Sequence, residues 1–252
     1  MMTGSGTGRC PNFLEYCEPH CIIVTRTNNS DWMCCQMTAE PGRADGEKRV
    51  DRRRARTRKA LIGAGQQLFA AKSVDGVTID DIVDAADVAK GSFYNHFEGK
   101  EGLAETIVAL VQGDCEREVY AANADVTDAS IRVARAVVTV IRYAIEHPDR
   151  YHAMVNLTRR RVNIHDPIND GVRHDIESGI HSGQFTKISV EAGVLAVFGL
   201  IATAVDHLSA PQGDDAAREI GRQIAFVMLR ALGVPDDLAA NTAEDAVTYV
   251  FG

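Results

Sequence analysis

Residues 78–103 read TIDDIVDAADVAKGSFYNHFEGKEGL, and this stretch decides the fold expected for the whole chain. Thr78 stands directly before a segment of helical periodicity and is followed by Asp80 and Asp81. This order is typical of a helix N-terminus, because a threonine hydroxyl caps a backbone N–H and negative charge suits the positive end of the helix dipole. We therefore predict a short helix of about eight residues that begins after Thr78.

A second short helix is predicted over residues 90–97, after a turn at Asp87 and Val88. A longer helix over residues 53–72 precedes both, since apolar or small residues recur at i, i+4, i+7 and i+8 from Leu61. Two short helices that are joined by a tight turn and docked on a longer one form a helix-turn-helix unit.

The two sides of the helix at residues 90–97 differ in polarity. Phe93 and Phe97 are four residues apart, so they share one face and are expected to anchor the helix to the core. The polar residues are then expected to face outward, where such a helix can enter the major groove of DNA. They are Lys90, Ser92, Tyr94, Asn95 and His96.

Charge is distributed unevenly along the chain. The formal net charge of −8 argues by itself against a nucleic-acid partner, but residues 49–100 carry +3 and residues 101–252 carry −9. Seven basic residues lie between Arg49 and Lys59. Such asymmetry points to nucleic acid. Two interpretations of the basic run stay open: a solvated helix face, or an arm that lies in the minor groove beside the reading helix.

The quoted stretch resembles the DNA-binding signature of the TetR family of bacterial transcriptional regulators. The resemblance rests on the core G-S-F-Y-x-H-F at residues 91–97, followed by K-E-x-L at residues 100–103. With the preceding helix it covers residues 52–103, about a fifth of the chain. Two positions depart from the family pattern. Asp87 replaces the usual turn glycine but tolerates a left-handed backbone, and Ala89 replaces Ser or Thr and so removes a helix cap.

The resemblance also implies a role for individual residues. Thr78 and Lys100 would contact phosphates, as would Tyr94 and His96, while Gly91 would let the backbone approach DNA closely. Ser92 and Asn95 are expected to reach base edges. For Tyr94 the alternative is core packing, and for His96 it is a local capping contact. The expected DNA-binding residues are Arg52, Thr78, Lys90, Gly91, Ser92, Tyr94, Asn95, His96 and Lys100.

The rest of the chain is predicted to be helical. The expected helices cover residues 101–122, 129–146, 149–161, 168–181, 190–208 and 216–232. The fold class is therefore all-α: a three-helix helix-turn-helix DNA-binding domain at residues 49–100, then a helical ligand-binding and dimerisation domain at residues 101–252. Residues 1–48, which hold five of the six cysteines, are expected to be a disordered extension.

Helices 190–208 and 216–232 carry the expectation of a homodimer. A stripe of small residues on the first would allow a close approach between helices; it comprises Ala192, Ala196, Gly199 and Thr203. The second shows an apolar face of Ile220, Ile224, Val227, Met228 and Ala231. The resemblance implies dimerisation through the final helix pair, and two-fold symmetry would double the DNA site. The alternative is an ordinary helical core without an interface.

A pocket between helices of the C-terminal domain is expected to hold a small-molecule effector. The candidate lining residues are Tyr143, His147, Tyr151, Met154, His174, His181 and Phe185. His174 and His181 share a helix face with Glu177 and Ser178; this spacing fits a metal site or a solvated polar face, and we expect no metal and no cofactor.

Membrane and enzyme classes are disfavoured. The longest uncharged apolar run, residues 192–205, is shorter than the roughly 20 residues that span a bilayer, and the first residues do not resemble a signal peptide. The chain contains no P-loop, nucleophile elbow, H-E-x-x-H or dinucleotide motif. The sequence therefore predicts a cytoplasmic, ligand-responsive repressor that binds double-stranded operator DNA. The alternative is a helical adaptor without a specific DNA site.

Overall fold

The computed structural model describes residues 24–26, 32–34, 41–158, 169–186, 188–208 and 214–252. The chain divides into two compact units, Met1–Arg54 and Ala55–Gly252. In the first, strands β1 (Val24–Arg26) and β2 (Trp32–Cys34) pair antiparallel. Most of residues 1–48, including four of the five cysteines in that segment, lie outside the described residues, so the expectation of disorder there stays a prediction.

The remaining described elements are helical, as expected. The N-terminal helices are α1 (Pro41–Ala71), a 3-10 turn (Val74–Gly76), α2 (Ile79–Ala85) and α3 (Lys90–Tyr94). The later helices are α4 (Lys100–Ala122), α5 (Ala129–Glu146), α6 (Pro148–Thr158), α7 (Asp170–His181), α8 (Val190–Leu208), α9 (Asp214–Ala231) and α10 (Asp236–Phe251). Residue 168, where a helix was expected to start, lies outside the described part, and α7 begins at Asp170.

Helix α5 is the centre of the C-terminal domain. It contacts every helix from α4 to α10, and eleven of its eighteen residues are buried. Its start is fixed by Asp128, whose carboxylate accepts from the backbone N–H groups of Ser130 (2.9 Å) and Ile131 (3.1 Å). These bonds satisfy N–H groups that the helix itself leaves without acceptors.

One sequence expectation about the end of the chain is wrong. The final helix is α10, which was not predicted, and it packs on α5 and α9. On α9, the buried residues are Ala217, Gly221, Ala225, Met228 and Leu229, whereas Ile220 and Ile224 are half-buried and Val227 and Ala231 are exposed. Three of these five buried residues are small, which lets α5 and α10 pack close to α9. A Cβ at Gly221 would touch Val138 and Phe251.

Helix α8 matches its predicted bounds. Val194, Val197, Ile201, Val205 and Leu208 are buried. The helix is long and apolar enough to meet the length and hydropathy criteria for a membrane span, and it packs against α5, α7 and α9.

Candidate functional site

The helix-turn-helix unit is held together by the two aromatic rings that the sequence singled out. Phe93 is fully buried, Phe97 is 6% exposed, and their ring centroids lie 5.7 Å apart. Helix α3 is shorter than predicted, because it ends at Tyr94, with Asn95 as its C-cap. A following turn, in which the N–H of Phe97 donates to the carbonyl of Phe93 (3.0 Å), still carries Phe97 into the core.

The turn before α3 has the backbone that the family pattern normally gives to glycine. Asp87 has φ +52°, the left-handed region that was predicted for it, and the N–H of Val88 closes the turn onto the carbonyl of Val83 (3.0 Å). Ala89 is the N-cap of α3 and offers no side-chain hydrogen bond, as expected from its methyl group. Both departures from the family pattern are therefore accommodated without loss of the turn.

The outer side of α3 carries the residues expected at DNA. Lys90, Gly91 and Asn95 are exposed, and Tyr94 is 54% exposed, which excludes core packing as its role in this structure. Ser92 and His96 are half-buried. A methyl group added at Gly91 would meet no atom of the protein within 4 Å, so internal packing does not require glycine at this position.

Two of the expected phosphate contacts are engaged within the helix-turn-helix unit. The Thr78 hydroxyl accepts from the N–H of Asp81 (3.1 Å) and donates to its carboxylate (2.7 Å), and that carboxylate also accepts from the N–H of Thr78 (2.9 Å). These bonds from Thr78 lower the pKa of Asp81 below its ordinary value. The result is a complete capping box that holds the start of α2.

The ammonium group of Lys100 donates to the carbonyls of Val74 (2.9 Å) and Val77 (3.1 Å) and so ties the start of α4 to the turn before α2. An ammonium has three donors, so one remains for the predicted phosphate contact.

One of the basic side chains on the surface of the helix-turn-helix unit is paired with an acidic side chain of the same unit. Lys90 forms an ion pair of 2.6 Å with Asp80 on α2, and the hydrogen bond to Asp80 raises the pKa of Lys90. In the basic run, the guanidinium of Arg58 lies 5.2 Å from the centroid of the Phe97 ring. Arg52 is exposed and lies in the first unit, so its predicted DNA contact stays a prediction.

A side chain of the C-terminal domain, that of Asn156, also forms hydrogen bonds to the helix-turn-helix unit. The amide of Asn156 on α6 donates to the carbonyls of Phe69 (3.0 Å) and Ala70 (2.9 Å). These carbonyls belong to the last turn of α1, where no further helical N–H is available to them. Asn156 therefore caps α1 from a neighbouring helix, a contact that the sequence analysis missed and that its spacing could not reveal.

The predicted effector-binding residues do not converge on one site. Tyr143 and His147 line a cavity of about 340 Å³. Tyr151 and Phe185 are buried, the latter against Gly179, and Met154 is half-buried. His174 and His181 are exposed on α7. The structure brings five unpredicted residues to the cavity instead: Asp114, Arg117, Glu118, Ala121 and Arg150.

Four of these five residues follow a helical pattern that sequence reasoning could have found. Asp114, Arg117, Glu118 and Ala121 are spaced at i, i+3, i+4 and i+7 on α4, so they share one face. Within the described part of the chain, no group of three or more His, Cys, Asp or Glu side chains is arranged to hold a metal ion.

The fold and this surface define a helix-turn-helix unit followed by a larger helical domain. Residues 61–107 match the model of the bacterial regulatory proteins of the tetR family. The match covers the helix-turn-helix unit and the first part of α4.

Two relatives are similar to this chain over part of its length. The chain is 29% identical over 123 residues to the HTH-type transcriptional repressor DhaR of Mycobacterium sp. (strain GP1), an alignment that covers 49% of this chain and 59% of DhaR. It is 33% identical over 92 residues to the repressor KstR2 of Rhodococcus jostii (strain RHA1), covering 35% of this chain and 43% of KstR2. The matched segments thus span about half the length of these relatives.

The fold is shared over a longer part of the chain. A tetR-family regulatory protein from Rhodococcus RHA1 superposes with a TM-score of 0.61 at 21% identity, over 71% of this chain and 98% of that one.

Proposed function

We propose that this protein is a transcriptional regulator that binds operator DNA as a homodimer and is released by a small-molecule effector. The observation that carries the proposal is the two-sided helix α3, in which Phe93 is fully buried and Tyr94, the next residue, is 54% exposed. A helix that is anchored on one side and wet on the other can enter the major groove without unfolding the core. A regulator of this kind acts on chromosomal DNA and therefore works in the cytoplasm, and it needs no catalytic residues.

The expected division of labour on α3 follows from side-chain chemistry. Asn95 is short and exposed, and an amide can form two hydrogen bonds to the major-groove edge of adenine, so it is proposed to read a base. Tyr94 is proposed to contact a phosphate, which positions the protein but carries no sequence information. Gly91 is proposed to bring the backbone against the DNA, since nothing inside the protein fills the space above it.

Dimerisation is proposed through the outer faces of α8 and α9. These faces expose two large apolar side chains, Leu195 (52%) and Val227 (46%), beside the small exposed residues Ala192 and Gly199. Apolar surface of this kind on two adjacent helices favours a four-helix interface related by a two-fold axis. The double substitution Leu195→Asp and Val227→Asp is expected to disrupt the dimer, so that the protein sediments as a monomer in analytical ultracentrifugation.

The coupling between effector and DNA is proposed to run through α4. Its first residue, Lys100, donates hydrogen bonds to the turn before α2, and its later residues line the cavity. Helix α4 is proposed to adopt two positions relative to the rest of the C-terminal domain. A ligand that binds one of these conformations more tightly would increase its population and change the distance between the two α3 helices of the dimer. Release from DNA requires that the effector prefer the state that does not fit the operator.

The test is to sequence the DNA fragments that the purified protein retains and to measure affinity for them at several salt concentrations. Tyr94→Ala is expected to weaken binding to all fragments, whereas Asn95→Ala relaxes the choice at one base position. Tyr120→Ala is a matched control, because Tyr120 is 77% exposed at the far end of α4. A helical adaptor would retain no DNA even at low salt. Unchanged affinity and selectivity in both α3 variants would reject the contact assignment.

A further inference from the structure

The cavity of about 340 Å³ lies between three helices of the C-terminal domain. It is lined by Asp114, Arg117, Glu118 and Ala121 from α4, Tyr143 and His147 at the end of α5, and Arg150 at the start of α6. Its size is at the lower end of the range for small-molecule sites.

Most of the charge in this cavity is already paired. The carboxylate of Asp114 accepts from the guanidinium groups of Arg117 and Arg150. Glu118 accepts from Arg142 at 3.2 Å. A charged ligand would therefore have to displace an existing ion pair, while an uncharged ligand would not.

The Tyr143 hydroxyl is the exception to this pairing. Tyr143 is 1% exposed, and its Oη is buried and has no hydrogen-bond partner in the part of the chain that the structure describes. Burial raises the pKa of this phenol to about 12, so at neutral pH it keeps its proton and can donate. A buried polar group without a partner costs on the order of 1–3 kcal/mol, which a ligand atom at this position would recover.

The surroundings of the hydroxyl decide which kind of acceptor fits. Burial disfavours the ionised phenol most and Cys115 comes next, while Asp114 and Glu118 also raise the pKa and Arg150 lowers it. A charged ligand atom at the same place would lose its hydration in the same way, so a neutral acceptor is favoured. The ring of His147 lies 4.9 Å from that of Tyr143, edge to face, and places a second aromatic ring beside the donor.

We propose that this cavity binds a small uncharged organic molecule through a carbonyl oxygen that accepts from Tyr143, with an apolar or ring portion against Tyr143 and His147. This inference rests on the proposed function, because it names the chemical class of the effector. It concerns binding alone and includes no chemical step.

Three probes of one ring size test the proposal: acetophenone, benzoate and benzylamine, which are a neutral ketone, an anion and a cation. Their affinities for the full chain are measured by ligand-observed NMR titration. Acetophenone is expected to bind most tightly. Tyr143→Phe removes only the hydroxyl and is expected to weaken acetophenone by about three- to tenfold, the value of one hydrogen bond.

The matched control is Tyr249→Phe, which removes the hydroxyl of a tyrosine on α10 that does not line the cavity. This variant is expected to bind acetophenone as the unaltered protein does. The proposal is overturned if benzoate or benzylamine binds at least as tightly as acetophenone, if Tyr143→Phe leaves acetophenone binding unchanged, or if none of the probes binds.

DNA retention of the same proteins separates this inference from the proposed function. If acetophenone binds through Tyr143 but the protein retains no DNA, the cavity assignment stands and the regulator proposal fails. If DNA is retained but the probe results fail as described, only the ligand class is wrong.

Discussion

Helix α3, which is proposed to contact DNA, and the central helix α5 differ in the fraction of their residues that is buried. Helix α3 has five residues, of which only Phe93 is buried, whereas α5 has eighteen residues, of which eleven are buried. A helix that must present polar groups to a partner can bury little of itself, so its position depends on a few strong anchors. A helix at the centre of a bundle spreads the same task over many contacts. The DNA-binding unit should therefore be the more easily damaged of the two regions by a single substitution.

The sharpest test of this difference is Phe93→Ala. Truncation of a fully buried phenylalanine costs about 3–5 kcal/mol, and here it removes one of the two rings that hold α3. We expect the DNA-binding unit to unfold at a lower urea concentration than the bundle around α5, seen as two transitions by circular dichroism. Tyr94→Ala, one residue on, should leave a single transition. One cooperative transition in Phe93→Ala would mean that the two regions are not separable in this way.

A smaller effect is expected from Asn156→Leu, which cuts a connection between the two regions. The substitution removes both hydrogen bonds to the end of α1 and should lower the free energy of unfolding by about 1–3 kcal/mol. Amide hydrogen exchange should rise in the segment 72–77 that follows α1. Thr158→Val, which removes only hydrogen bonds within α6, is the control and should not change exchange there.

Loss of the cap on α2 ranks next. Thr78→Ala removes the capping box, with an expected cost of about 0.5–2 kcal/mol, measured by thermal unfolding. The pKa of Asp81 is held below its ordinary value in the folded state, so its contribution is fully present above that value and is lost as pH falls through the lowered one. Asp81→Asn should therefore flatten the acid side of the stability profile. An unchanged profile would show that the cap does not couple to this carboxylate.

Gly91→Ala has the smallest expected effect on stability, and that effect is favourable. Alanine meets no atom within 4 Å at this position and favours the helix over glycine by roughly 0.5–1 kcal/mol. DNA affinity is expected to fall despite the gain, because the added methyl group would separate the backbone from the groove. Equal or better retention of DNA by this variant would remove Gly91 from the interface.

How much of the site the sequence predicts depends on the range of the interactions. Local chemistry was predictable: the Thr78 cap, the left-handed Asp87, the missing cap at Ala89 and the buried pair Phe93 and Phe97 follow from neighbours in sequence. The bonds of Lys100 to carbonyls 23 and 26 residues earlier were not, because nothing in the spacing of charges indicates which carbonyls lie nearby.

The C-terminal domain shows more clearly what could not be predicted from the sequence. Helical periodicity gave the bounds of α5 and α8, but it could not tell which face of α9 would be buried, nor that α10 would cover it. Two predicted cavity residues, Tyr143 and His147, are brought together with five others, while His174 and His181 remain at the surface.

The order of residues alone determined most of the helices after residue 40, including the short, two-sided helix α3, because capping, turn geometry and amphipathic spacing act over a few residues. Only the tertiary structure decided what fills the space between helices: the Asn156 cap on α1, the ion pairs around Asp114 and the buried hydroxyl of Tyr143, which has no partner among the described residues. Those features depend on side chains tens of residues apart, and their distances are set by how whole helices pack rather than by any pattern along the chain.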